Sequence, residues 1–241
     1  MLGIKNITFK FAQDTGLFFD NLSFDCDAQK INFIRGQNGA GKSTLFRILQ
    51  GKLAHDEIVS GELVLNNKQY GLGADDFSGD CSGHELSQEV SLVQQKFDYM
   101  LADQLSFQDN MRLAGISRYP SLRGLPKVQE LPEFIKRFKI NFNSPVKLLS
   151  GGQRQILAIM MALVKPTRVL LLDEPTAALD EQNTNMVMDF LAELVKTTDL
   201  IVLMICHDKE LVEKYAHDGY FELCINQDTG LRSIEKIILS M

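Results

Sequence analysis

The stretch Lys30-Ile31-Asn32-Phe33-Ile34-Arg35-Gly36-Gln37-Asn38-Gly39-Ala40-Gly41-Lys42-Ser43-Thr44-Leu45-Phe46-Arg47-Ile48-Leu49-Gln50 decides how this sequence folds. Lys30 to Arg35 is a short apolar run of the kind that forms a buried strand, and Ser43 to Gln50 carries helical spacing. Between them, residues 36–43 fit the pattern G-x-x-x-x-G-K-[ST]. The chemistry explains the residue types. Glycines let backbone N–H groups turn inward around an anion, the helix N-terminus adds its dipole, and a lysine brings a full charge to β/γ phosphates. Candidate phosphate contacts are Gly36, Asn38, Gly39, Ala40, Gly41 and Lys42. Ser43 offers a hydroxyl to Mg²⁺, with Thr44 beside it. A glycine-rich turn without a ligand is the alternative, and the flanking strand and helix argue against it.

Working outward, strands are expected at Leu2 to Phe11, Leu17 to Phe24, Gly61 to Leu65 and Val90 to Val93. From Lys96 to Lys147 no long apolar run occurs. Pro120, Pro126, Pro132 and Pro145 punctuate short helical patterns at Phe107 to Ala114 and Glu133 to Phe138, which reads as a small helical insertion. Beyond it, a helical pattern at Gln153 to Val164 precedes the run Val169 to Leu172. A helix over Glu181 to Val195 then precedes the run Leu200 to Cys206. Short, continuous Val/Ile/Leu runs are how strands covered on both faces of a parallel sheet appear. Alternation of such runs with helices predicts an α/β domain. After His207 the chain has room for a helix, Asp208 to Tyr215, and two closing strands.

Val169-Leu170-Leu171-Leu172 ends in Asp173-Glu174, placing two acids at the C-terminal end of a buried strand, where ligands of open α/β sheets collect. Asp173 suits the surroundings of Mg²⁺. Glu174, one residue on, is placed to orient or deprotonate a water. A pair of solvated carboxylates is the bland reading, and it weakens beside a phosphate loop.

Leu149-Ser150-Gly151-Gly152-Gln153-Arg154-Gln155 resembles the signature motif of ATP-binding cassette (ABC) ATPases. It is accompanied, in the family's order, by the Walker A loop at Gly36 to Ser43 and the Walker B run ending at Asp173-Glu174. Ala177-Ala178-Leu179-Asp180 resembles the D-loop, and His207 follows an apolar strand. The resemblance covers nearly the whole chain. It implies an α/β P-loop NTPase fold, an ABC-type nucleotide-binding domain with an antiparallel β subdomain and an inserted α-helical subdomain. Residues 1–95 and 149–241 would form the catalytic core and 96–148 the helical part of one domain.

The resemblance also implies the site. ATP and Mg²⁺ are the expected cofactors, with Lys42, Glu174 and His207 in catalytic positions, His207 contacting the γ-phosphate. Ser43, Gln95 and Asp173 are expected at the metal. The Q-loop glutamine is Gln94 or Gln95, and the family's single residue between the strand's last valine and the glutamine favours Gln95. Phe11 stands where the family stacks an aromatic on adenine, although a core phenylalanine fits the position equally. Ser150, Gly151, Gly152 and Gln153 open a helix and so make a second anion site. Two anion sites for one nucleotide imply two chains, which agrees with the family's head-to-tail sandwich, in which Asp180 also belongs.

Composition bounds the remainder. The chain has 241 residues, 45% hydrophobic and 23% charged, with no apolar run of membrane-spanning length. The start, MLGIKNITFKFAQD, lacks a signal peptide's apolar core. A net charge of −6 disfavours nucleic acid as a partner. Cys26, Cys81, Cys206 and Cys224 are scattered without metal or disulfide spacing, so reduced, mostly buried thiols are expected. Gly71 to Gly83 is expected to be an exposed loop. Residues 96–147 hold nine basic and five acidic side chains. This basic stretch is either an ordinary solvated face or, as the resemblance suggests, the docking surface for membrane subunits.

The expected function is an ATP-hydrolysing subunit that dimerises with itself or a second ABC subunit. It would act on separate transmembrane permease subunits from the cytoplasmic face of the membrane. The alternative is a soluble or non-transport ABC ATPase of the iron–sulfur-assembly or cell-division type.

Overall fold

A computed structural model describes residues 1–53, 57–72, 82–116 and 132–239. Most of the expected Gly71 to Gly83 loop, residues 73–81, lies outside the described residues, as does Cys81.

The strands divide into those apolar on two faces and those apolar on one. β7 (Val169–Asp173) and β8 (Ile201–Ile205) are buried along nearly their whole length. Their side chains divide between two cores. Leu170, Leu172, Val202 and Met204 join one cluster; Val169, Leu171, Ile201, Leu203 and Ile205 join the other. That is the period-2 alternation of a strand sandwiched between layers. β1 (Leu2–Lys10) and β2 (Phe19–Cys26) instead mix buried and exposed positions, with β2 alternating strictly over Leu22–Cys26, as in a sheet with one wet face.

One ten-stranded sheet results, in the order β5-β4-β1-β2-β10-β9-β3-β8-β7-β6. β1, β2, β4 (Ile58–Leu65) and β5 (Lys68–Gly71) pair antiparallel as an arm. β3 (Ile31–Gly36), β8, β7 and β6 (Val90–Val93) run parallel, and β9 (Gly219–Ile225) joins β3 in parallel. β10 (Arg232–Ile238) returns antiparallel on β9, and one pair, Arg232 with Phe19, connects it to the arm. The fold class expected from the alternating runs is the one found.

Six α-helices lie among the described residues: α1 (Lys42–Leu49), α2 (Ser82–Glu89), α3 (Phe107–Ala114), α4 (Gly151–Ala162), α5 (Glu181–Thr197) and α6 (Lys209–Tyr215). Three details differ from the sequence reading. Residues 82–89 form a helix where a loop was expected at Gly83. Glu133–Phe138 is a 3₁₀ helix, entered at Pro132 and closed by Lys139 at φ 50°. The β4–β5 hairpin turns on Asn66 and Asn67, at φ 49° and 68°, the double left-handed turn that asparagine tolerates. None of the helices among the described residues is long and apolar enough to cross a membrane.

Candidate functional site at four strand ends

Parallel pairing aligns the C-terminal ends of four neighbouring strands and so gathers residues far apart in sequence. Asp173 pairs with Ile205, Ile34 also with Ile205, and Val93 with Leu172. The loops leaving β3, β8, β7 and β6 therefore emerge side by side. They carry, respectively, residues 36–43, His207, Asp173 with Glu174, and Gln95. Phe11, Asn38, Gly39, Gly41, Lys42, Ser43, Thr44, Asp173, Glu174 and His207 line one cleft of about 460 Å³, together with Phe18.

The loop wraps onto α1 through Gly41, whose φ of 102° favours glycine. A Cβ there would also stand 2.6 Å from Phe18 Cε1. Lys42 is buried and donates from Nζ to the carbonyls of Gly36, at 2.8 Å, and Gln37, at 3.0 Å. Desolvation holds its pKa below the usual lysine value, opposed by the nearby carboxylates of Glu174, Asp173 and Glu222. Ala40 is buried behind the loop, and Ser43 presents an exposed hydroxyl at its mouth.

Glu174 follows β7 in the left-handed region, at φ 49°, an unusual conformation for a non-glycine residue. Its N–H donates to the Ile205 carbonyl at 3.1 Å, tying the turn to the end of β8. Turned this way, its carboxylate lies between two partners. Oε1 is 2.9 Å from His207 Nε2, and Oε2 accepts from Gln95 Nε2 at 3.2 Å. Gln94 faces elsewhere and accepts from the Tyr99 hydroxyl. Of the two glutamines, Gln95 is therefore the one at the cleft.

Burial and the adjacent Glu174 push the Asp173 pKa above the usual carboxylate value, while Lys42 and His207 pull the other way. A half-buried pair of neighbouring carboxylates with a serine hydroxyl nearby is a set of hard oxygen donors. Such a set suits Mg²⁺, which keeps several waters and takes only one or two protein ligands.

The signature residues stand apart from this cleft. Ser150 caps α4, accepting from Gln153 N–H at 3.2 Å, while Gln153 Oε1 accepts from Ser150 N–H, a reciprocal capping box. Ser150 Oγ and Gly152 N–H both donate to Asn183 Oδ1, at 2.9 and 3.1 Å. Asp180 caps α5, accepting from Asn183 N–H at 2.8 Å and from its side-chain amide. A Cβ on Gly152 would stand 3.1 Å from the Asn183 carbonyl oxygen, so the glycine is what lets α4 and α5 meet here. Ser150, Gly151, Gly152, Gln153 and Asp180 thus form a second constellation, none of it lining the cleft. The sequence reading missed Phe18 and Asn183. Phe18 was legible only as a strand residue, and Asn183 only as one polar position on a helix.

The family profile described as ABC transporter matches residues 19–177. A "Probable iron chelatin transport ATP-binding protein" of Helicobacter pylori is 31% identical over 90% of this chain and 81% of its own length. An ABC transporter ATP-binding protein of Photobacterium profundum is 28% identical over 89% of this chain, which spans 36% of that longer protein. Among solved structures, cbiO1 of Clostridium perfringens, described as part of the ABC transporter complex cbiONQ, superposes with a TM-score of 0.71. It is 23% identical, with 97% of this chain and 86% of that one covered. A dimeric post-hydrolysis ATP-binding cassette bound to ADP and Pi gives a TM-score of 0.64 at 22% identity, each chain fully covered. From its strand-end cleft, its ordered motifs and these matches, the chain belongs to the ABC transporter family, as an ATP-binding and ATP-hydrolysing subunit.

Proposed function

We propose that this chain binds ATP with Mg²⁺ in the strand-end cleft and pairs head to tail with a second cassette, either another copy or a paired ABC subunit. From the cytoplasmic face of the membrane it drives separate transmembrane permease subunits. The observation that carries the chemistry is the Glu174 carboxylate, held between His207 and Gln95 at the rim of the Lys42 cleft.

Each residue has work suited to its place. Lys42, already desolvated, exchanges the Gly36 and Gln37 carbonyls for phosphate oxygens and stabilises the charge that develops on them. Glu174 accepts a proton from the water attacking the γ-phosphorus, and His207 fixes the carboxylate's orientation and contacts the γ-phosphoryl group. Mg²⁺, when bound, neutralises charge on the β- and γ-oxygens, with Ser43, Asp173 and Gln95 as the residues to hold it. Phe11 offers a ring to the nucleobase.

A single chain leaves Ser150, Gly151 and Gly152 away from its own cleft, which supports their service to a partner's nucleotide. In a paired state, Ser150 Oγ and Gly152 N–H would turn from Asn183 to the partner's phosphate. The names of the relatives, which are transport subunits, favour the transporter reading over the soluble alternative. Purification from membranes in mild detergent tests it: a hydrophobic, multi-span protein is expected to accompany the chain. Recovery with soluble assembly proteins alone would overturn the permease partnership.

A further inference from the structure

Beside the phosphate loop, two aromatic rings meet at a corner. Phe11 and Phe18 both line the cleft, their centroids are 4.8 Å apart, and their planes stand at 82°. A planar base lying on one of these rings therefore meets the other edge-on, an arrangement in which aromatic groups attract one another. Phe18 is not free to turn away. On one side its ring edge takes the space a Cβ on Gly41 would need, and the guanidinium of Arg232 lies over its ring, 3.8 Å from the centroid.

Arg232 reaches this position because β10 joins the arm at one pair, Arg232 with Phe19. Its Nη1 donates to the Gly230 carbonyl at 2.6 Å, while its buried Nε has no partner among the described residues. Half-buried and held at Nη1 by the Gly230 carbonyl, the guanidinium keeps its place over the Phe18 ring.

We propose that Arg232 is a positioning residue for the nucleobase. It presses Phe18 against the phosphate loop, so that Phe18 and Phe11 form a two-walled aromatic corner for the base of the nucleotide. The inference rests on ATP being the ligand of the cleft and adds to it which residues grip the base end. Because the corner offers π faces and ring edges rather than hydrogen-bonding groups, it recognises a flat base without reading its polar edge.

Calorimetric titration of the full-length chain with ATP, and separately with inorganic tripolyphosphate, tests this. Tripolyphosphate carries the phosphates and lacks the base. Arg232→Met keeps the length of the side chain but removes the cation, and is expected to weaken ATP binding about three- to tenfold, the range of a cation held on an aromatic face. Tripolyphosphate binding should stay within about twofold of the original. Arg232→Lys, which restores the cation, should recover most of the ATP affinity, and Phe18→Leu should repeat the loss seen with methionine. Unchanged ATP affinity in Arg232→Met would overturn the inference. So would equal weakening of both ligands, which would mark Arg232 as a structural or phosphate-directed residue. A parent chain that binds neither ligand would instead remove the ATP reading itself, a result readily told from the other two.

Discussion

Asp173 illustrates how far a residue's role departs from its contribution to stability. Burial and its neighbour Glu174 raise its pKa in the folded chain. A carboxyl whose folded pKa lies above its unfolded value adds stability at low pH and loses that contribution as pH rises through the folded pKa. Asp173→Asn, which resembles the protonated form, should therefore raise Tm of the nucleotide-free protein at pH 7 by about 1–3 °C. The gain should shrink toward zero below about pH 4, where both forms of the protein carry a neutral group at this position. Differential scanning fluorimetry across pH checks both parts. At this scale the sequence was most informative where chemistry favours a fixed residue: Lys42, Ser43, Asp173 and Glu174 were marked by type and spacing, and His207 only through the family resemblance. It was silent on Phe18, because an aromatic at a strand start looks the same whether it packs in a core or walls a cleft. The choice between Gln94 and Gln95 depended on which way each side chain leaves the end of β6.

At the scale of elements, the junction of α4 and α5 is built from caps. Ser150 serves Gln153 and Asn183, and Asp180 serves Asn183. Loss of an N-cap costs about 1 kcal/mol, so Ser150→Ala should lower Tm by about 2–4 °C in a domain of this size. Gly152→Ala should do more damage to ATPase activity than to Tm. Its Cβ meets the α5 backbone and would displace the N-terminus of α4, whose donors need a fixed direction. Steady-state hydrolysis beside a thermal melt separates the two effects, and a fully active Gly152→Ala protein would contradict this account of the junction. Long buried runs such as Val169 to Leu172 and Leu200 to Cys206 were legible because they are apolar on both faces. The β4–β5 hairpin was half missed. Lys68–Gly71 carries no apolar run, and only the Asn66-Asn67 turn signals it. Glu133–Phe138 has helical spacing but follows Pro132 and ends at a left-handed Lys139, which leaves room for a 3₁₀ turn and no longer helix.

Across the whole molecule, one topological fact organises the chemistry. Four parallel strands end together, and residues 36–43, His207, Asp173 with Glu174, and Gln95 follow those ends. The signature constellation follows no strand end and so is carried to a different place. The order of motifs along the chain was readable from sequence, but their division into a complete cleft and a separate donor cluster needed the register of β3, β8, β7 and β6. Under the proposed function, this division would make hydrolysis a property of a pair, with Glu174 as its base. The most direct test is Glu174→Gln, followed by ATP hydrolysis and by size-exclusion chromatography with ATP and Mg²⁺. Hydrolysis is expected to fall by about two orders of magnitude or more, within the range of a lost general base, and the variant to elute as a dimer only when ATP is present. A Glu174→Gln protein that hydrolyses ATP at the parent rate and remains a monomer would contradict this expectation.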